Sequence, residues 1–243
     1  MDLFRALERA VSKFVEEAVQ RPHPAAAPSA DAERWDWPAF KGNLLHFART
    51  LSYPAALPTR IDLDGLKIPI ERLREQTAGG IEHGRMGYVN IYTGTLVLSR
   101  TVQGDQHSVR IPVERSIANV PVMGIHSHPR GLFQLDREDL HLSAQDYLSF
   151  LSTREEWVQI AVTGTSLIAA VKTSATPTRV DAQAVERRLN QLWEDAGRQT
   201  ATPGRRVRLF SKLACIEYGL GLYIQIPEGP MALGQVRLTP KLD

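Results

Sequence analysis

Apolar and polar positions along the chain alternate between two periods, and they divide it into helices and strands in a mixed order. Leu3, Leu7, Val11, Phe14, Val15 and Ala18 recur at helical spacing with charges between them, which predicts an amphipathic helix over residues 2–20. Residues 21–34 hold Pro and Ala but almost no large apolar side chain, and read as a linker. After Trp35-Asp36-Trp37-Pro38, the helical spacing returns at Phe40, Leu44, Leu45, Phe47 and Ala48, and the pattern stops near Tyr53-Pro54. A short helix is expected over 68–75. From Met86 to Arg100 the period is two on both sides of Thr93-Gly94, the pattern of a hairpin. Residues 109–113 read as a strand, and the apolar run from Val120 to Ile125 as a buried one.

A helix is expected to start at Asp136. Strands over 157–163 and 166–173 follow, with Gly164-Thr165 as the turn between them. Residues 174–180 form a Pro/Thr-rich break. Val185, Leu189 and Leu192 place one stripe on a helix from Asp181 to Ala196. A basic loop over 198–208, a last helix over 209–218 and a closing pair of strands from Leu222 to Leu238 complete the chain. This order predicts an α+β fold, a mixed sheet flanked by helices, with an N-terminal helical extension. The expected divisions are 1–60, 61–175 and 176–243.

Composition narrows the classes. The chain has 243 residues, 43% hydrophobic and 23% charged, as ordinary globular proteins do. A net charge of +2 implies no strong electrostatic partner. Arg198, Arg205, Arg206, Arg208 and Lys212 lack interleaved aromatics, so a solvated loop is preferred to a nucleic-acid contact. One cysteine, Cys215, excludes an internal disulfide and suits a reducing cytoplasm, and no run of apolar residues is long enough to span a membrane. Cys215 reads as a buried thiol. Residues 2–20 either pack on their own domain or present a helix to a protein partner.

The chemistry gathers after the Val120 run. His126 and His128 stand two apart, so on a strand both imidazoles point to one face. Ser127 faces the other side. A carboxylate from the following helix, Asp139, would complete three N/O ligands and leave a fourth position for water, the arrangement of a catalytic zinc. A second Ser-x-x-Asp, Ser143 to Asp146, lies further on. On one helix from Asp136, Asp146 would sit roughly 10 Å along the axis from Asp139, and both could not bind one ion. Geometry leaves the choice open, since a longer loop would bring Asp146 to the histidines instead.

In VPVMGIHSHPRGLFQLDREDL the sequence resembles the JAMM (MPN+, or JAB) metalloprotease family. That family's pattern is an upstream Glu, then His-x-His, seven residues, Ser, two residues and Asp. His126, His128, Pro129 and Asp139 stand in register with it, and HSHPRG…DREDL is similar to the wording of the bacterial RadC-like branch. The resemblance covers roughly residues 75–172 and implies an MPN/JAB-like domain with cytidine-deaminase-like layering. It implies Zn2+ held by His126, His128 and Asp139. It also implies hydrolysis of a peptide or isopeptide bond after the extended C-terminal tail of a ubiquitin-like or other protein. The upstream Glu, the general base, is assigned to Glu82, with Glu75 and then Glu71 as alternatives. Asp136 replaces the family's catalytic Ser; it can cap a helix as Ser does, but a carboxylate there repels a developing oxyanion. An impaired MPN-type binding or scaffold module is therefore the alternative function. A DNA-linked role rests on the RadC-like wording alone.

Overall fold

The computed structural model describes residues 34–129, 142–163, 166–225 and 231–233. The helix expected over 2–20, the linker up to residue 33, the helix start at Asp136 and the turn at Gly164-Thr165 lie outside the described residues.

The described chain builds one mixed sheet with helices on both faces. Its strands are β1 (Arg34–Trp35), β2 (Arg60–Ile61), β3 (His83–Asn90), β4 (Leu96–Leu98), β5 (Val102–Gln103), β6 (Asn119–His128), β7 (Val158–Thr163), β8 (Ser166–Lys172), β9 (Leu220–Gln225) and β10 (Met231–Leu233). They run in the order β1-β2-β10-β9-β8-β7-β6-β3-β4, with β5 also paired to β3. The pairs β1/β2 and β6/β7 are parallel and the others antiparallel. Strands from before residue 61 and after residue 175 therefore belong to the same sheet as the histidine strand.

The two faces are separated by strand alternation. On one face, α1 (Trp37–Thr50) and α2 (Lys67–Thr77) pack Phe40, Leu44, Phe47, Ile70 and Leu73 against Met123, Ile125, Ile160, Val162 and Val171. On the other, α3 (Ala144–Ser152), α4 (Ala182–Gln199) and α5 (Pro203–Glu217) cover Ala161, Ile168, Ala170 and Leu222. Every residue of β7 is buried, as expected for a central strand covered on both sides. Asp36 caps α1 by accepting the Ala39 N–H at 2.8 Å, and Pro38 sits in its first turn, where no donor is lost. The tryptophan pair is an anchor: Trp35 lies 5.9 Å from Trp157, which also stacks on Phe40 and Phe47.

Two expectations are corrected. Residues 109–113 alternate but form no strand. Pro112 has no N–H to give to a ladder, and Val109 and Ile111 instead fill the space over Gly84, where a Cβ would lie 2.6 Å from Ile111 Cγ1. The basic stretch 198–208 is mostly helix, because α4 continues to Gln199 and α5 opens on Pro203. Arg206 stacks 4.2 Å from the Trp193 ring centre and donates to the Trp193 carbonyl, so it is tied to its own fold. No helix among the described residues is long and apolar enough to cross a membrane.

Candidate metal centre

β6 ends on the two histidines. Its register against β7 pairs His126 with Ala161 and His128 with Thr163, and its register against β3 pairs His126 with Gly84. Alternation sends Ile125 and Ser127 toward α2, and His126 and His128 toward α3. Ser127 is buried; its hydroxyl meets Thr77 Oγ1 and accepts the His83 N–H at 3.1 Å, so it ties β6 to α2 and β3. His83 turns its Nδ1 to the Ile81 carbonyl at 3.0 Å.

The carboxylate that meets the imidazoles among the described residues is Asp146. Asp136 and Asp139 lie outside them. Asp146 is the third residue of α3, whose start is fixed by a reciprocal cap. The Ser143 hydroxyl accepts the Asp146 N–H at 3.1 Å, and Asp146 Oδ2 accepts the Ser143 N–H at 2.7 Å. A helix running unbroken from Asp136 would place Asp146 far from the histidines if Asp139 faced them. Instead Ser143 is extended, with φ −68° and ψ 166°, and Asp146 stands in the first turn of a helix that opens at Ala144. The signal was the cap itself: Ser-x-x-Asp directly before the apolar stripe Tyr147, Phe150 and Leu151.

The three donors converge. His126 Nε2 and His128 Nε2 are 2.9 Å apart, Asp146 Oδ1 is 3.3 Å from the first and Oδ2 is 3.6 Å from the second. All three ligand atoms lie within 4.8 Å of one another. Donors around a tetrahedral zinc at about 2.0–2.1 Å stand roughly 3.3 Å apart, so the spacing fits a small divalent cation. The donor set of two imidazoles and one carboxylate, with no thiolate, is of the open type. Burial disfavours the Asp146 charge, but His126 and His128 outweigh it and hold the carboxyl well below its usual range.

Glu82 stands at the head of β3, anchored by backbone bonds from its N–H to Asp105 and from Gly104 to its carbonyl. It is only 7% exposed. Burial pushes its carboxyl up to about 7; His128 opposes the shift, and Asp146 and Asp105 add to it. These couplings place Glu82 in the field of the histidine–aspartate group. Glu71 and Glu75 lie exposed on α2, and Glu71 pairs with Arg74.

Behind His126 lies a second layer that sequence reasoning missed. Gln159, on β7 beside Gly124, has its Nε2 3.4 Å from His126 Nδ1. Glu156 is buried over the same glycine, and a Cβ at Gly124 would lie 2.3 Å from Glu156 Oε1. Gly124 therefore leaves the volume that Glu156 occupies. Nothing in period or spacing marks these residues, since they join β6 only through strand pairing. Compared with known protein families, curated proteins and solved structures, the chain matches none.

Proposed function

We propose that this chain is a zinc metallopeptidase of JAMM type on an MPN/JAB-like fold. The observation that carries the reading is the convergence of His126, His128 and Asp146, with buried Glu82 on the adjoining strand. His126 Nε2, His128 Nε2 and one Asp146 oxygen would hold the ion. Zinc, when bound, supplies Lewis acidity to a water nucleophile and to the scissile carbonyl. Glu82 takes the proton of the attacking water and returns it to the leaving amine, a task suited to a carboxyl whose pKa lies near neutrality.

Ser143 and Asp146 keep the family's Ser-x-x-Asp spacing, set seven positions later than Asp136 and Asp139. Ser143 Oγ accepts the Asp146 N–H, which leaves the hydroxyl proton for an oxyanion on the scissile carbonyl. On this reading Asp136 is not the catalytic position; the alternative, a scaffold module impaired by Asp136, predicts no cleavage of a ubiquitin-like protein carrying a C-terminal extension. The substrate class follows from the resemblance: an extended C-terminal tail, as on a ubiquitin-like protein.

Two matched variants test the ligand set. Asp146→Asn keeps a side-chain oxygen for the helix cap but weakens a charged ligand. Zinc affinity, read by chelator competition, is expected to fall at least ~100-fold, since loss of mere supporting contacts already costs about 10–100-fold. Asp139→Asn is expected to bind zinc as the natural protein does. The reverse result would return the ligand role to Asp139. Activity is assayed on a ubiquitin-like protein carrying a C-terminal peptide extension: no cleavage by the zinc-loaded natural protein would refute the peptidase reading, and full cleavage by Asp146→Asn would remove Asp146 from the ligand set.

A further inference from the structure

The side chain of Gln159 is buried, and its Oε1 has no hydrogen-bond partner, while its Nε2 faces His126 Nδ1. That polarity conflicts with the metal reading on which this inference rests. A neutral imidazole that gives Nε2 to a cation carries its proton on Nδ1, which is then a donor and needs an acceptor. An amide NH2 opposite an N–H leaves both buried donors unsatisfied, an unfavourable arrangement. On the other side of the amide, Gln159 Oε1 and Glu156 Oε1 both face the gap above Gly124, at 3.8 Å and 2.3 Å from the position a Cβ would take there. Two side-chain oxygens therefore face the same space above Gly124.

Turning the terminal amide by 180° resolves both conflicts without moving another atom. Oε1 then accepts the His126 Nδ1–H, and Nε2 donates toward the Glu156 carboxyl. We propose that Gln159, oriented by Glu156 from above Gly124, is the positioning residue that fixes the His126 tautomer and aims its Nε2 at the metal. The arrangement links buried Glu156, through one amide, to a proposed ligand. Gln159 touches no substrate; it acts through His126.

The test measures Zn2+ affinity by chelator competition on the full chain, with thermal melting to establish folding. Gln159→Leu, which removes the acceptor, is expected to weaken zinc binding about 10–100-fold. A swap of the two polar groups, Glu156→Gln with Gln159→Glu, keeps one carboxylate and one amide in the same volume. The carboxylate moved to β7 accepts the Nδ1–H directly, so binding within a few-fold of the natural protein is expected. A merely structural role would not be rescued by that exchange. In 15N spectra of the metal-free protein, His126 is expected as the Nδ1–H tautomer, and as a mixture of tautomers in Gln159→Leu. Unchanged zinc affinity in folded Gln159→Leu overturns the proposal, as does a folded swap weaker by more than ~10-fold. If Gln159→Leu does not fold, the swap decides. The underlying metal reading fails separately: in that case His126→Ala would bind zinc no worse than the natural protein.

Discussion

On the proposed metallopeptidase reading, Glu82→Gln is expected to abolish most peptide-bond hydrolysis, lowering kcat/KM about 10²–10⁴-fold, while zinc stays bound with unchanged affinity. The substitution conserves volume and keeps an acceptor oxygen, and the backbone bonds that anchor residue 82 to Asp105 and Gly104 do not involve the side chain. What disappears is the ability to hold a proton. Glu82 with its carboxyl near 7 serves as base only when ionised, so the natural protein's rate should fall as pH drops through about 7, or through a lower value once the cation's charge is present. That acidic limb should be missing from the residual activity of the variant. Full activity in Glu82→Gln removes it from the mechanism.

The same carboxyl gives a second readout in the metal-free protein. Its folded-state value, about 7, lies above the ordinary 4.5, so the folded state holds the proton more tightly than the unfolded chain. This contribution to stability is complete below about 4.5 and is lost as pH rises through 7. Glu82→Gln has no proton to lose. Melting temperatures should therefore show the metal-free variant gaining on the natural protein between pH 5 and pH 8. A pH-independent difference would mean Glu82 is not held in a desolvated place.

Local pattern made the histidine strand legible. The run from Val120 to Ile125 is apolar because β6 is covered on both faces, and the i, i+2 spacing alone aims His126 and His128 together. The hairpin at Thr93-Gly94 was legible for a similar reason, with Gly94 at φ 72° where a Cβ is disfavoured. The acidic partner was harder. No periodicity reports how long the connection from His128 to α3 is, so family spacing pointed to Asp139, which lies outside the described residues, while among the described residues the cap that starts α3 brings Asp146 to the histidines. Residues 109–113 show the opposite failure: the alternation is real, but pairing is a non-local choice, and Pro112 with Gly84 turned the segment into side-chain packing instead of a ladder. Gln159, Glu156 and Lys172 come from three positions on neighbouring strands and loops, and only the β6/β7/β8 register unites them behind the site.

Lys172→Met is expected to destabilise the protein by about 3 kcal/mol, the combined cost of leaving the buried Thr153 carbonyl without its donor and the buried Glu156 carboxyl without an opposing charge. Lys172 is 1% exposed, donates from Nζ to the Thr153 carbonyl at 2.6 Å and lies 4.5 Å from the centre of the Phe150 ring. Burial pulls its ammonium down and pushes Glu156 up, and each is opposed by the other's charge. With Met in place of Lys, only the backbone hydrogen bond from Gly124 still opposes the desolvation of Glu156, and the Thr153 carbonyl loses its donor. For a domain of this size the melting temperature should drop roughly 10 °C. The Glu156 carboxyl then takes a proton at still higher pH, so the deficit should shrink toward pH 5 and grow toward pH 8. Removing the partner charge as well, in Lys172→Met with Glu156→Gln, should recover most of the loss, because a neutral pair carries no unpaired charge into the core. A single variant within about 1 kcal/mol of the natural protein, or a double variant no better than the single, would show that the two groups do not depend on each other. Since Glu156 leans over Gly124, two residues before His126 on the same face of β6, the loosened carboxyl should also reduce the melting-temperature gain on adding zinc. Stability at the sheet centre and order at the proposed metal ligands are then measured as one coupled property.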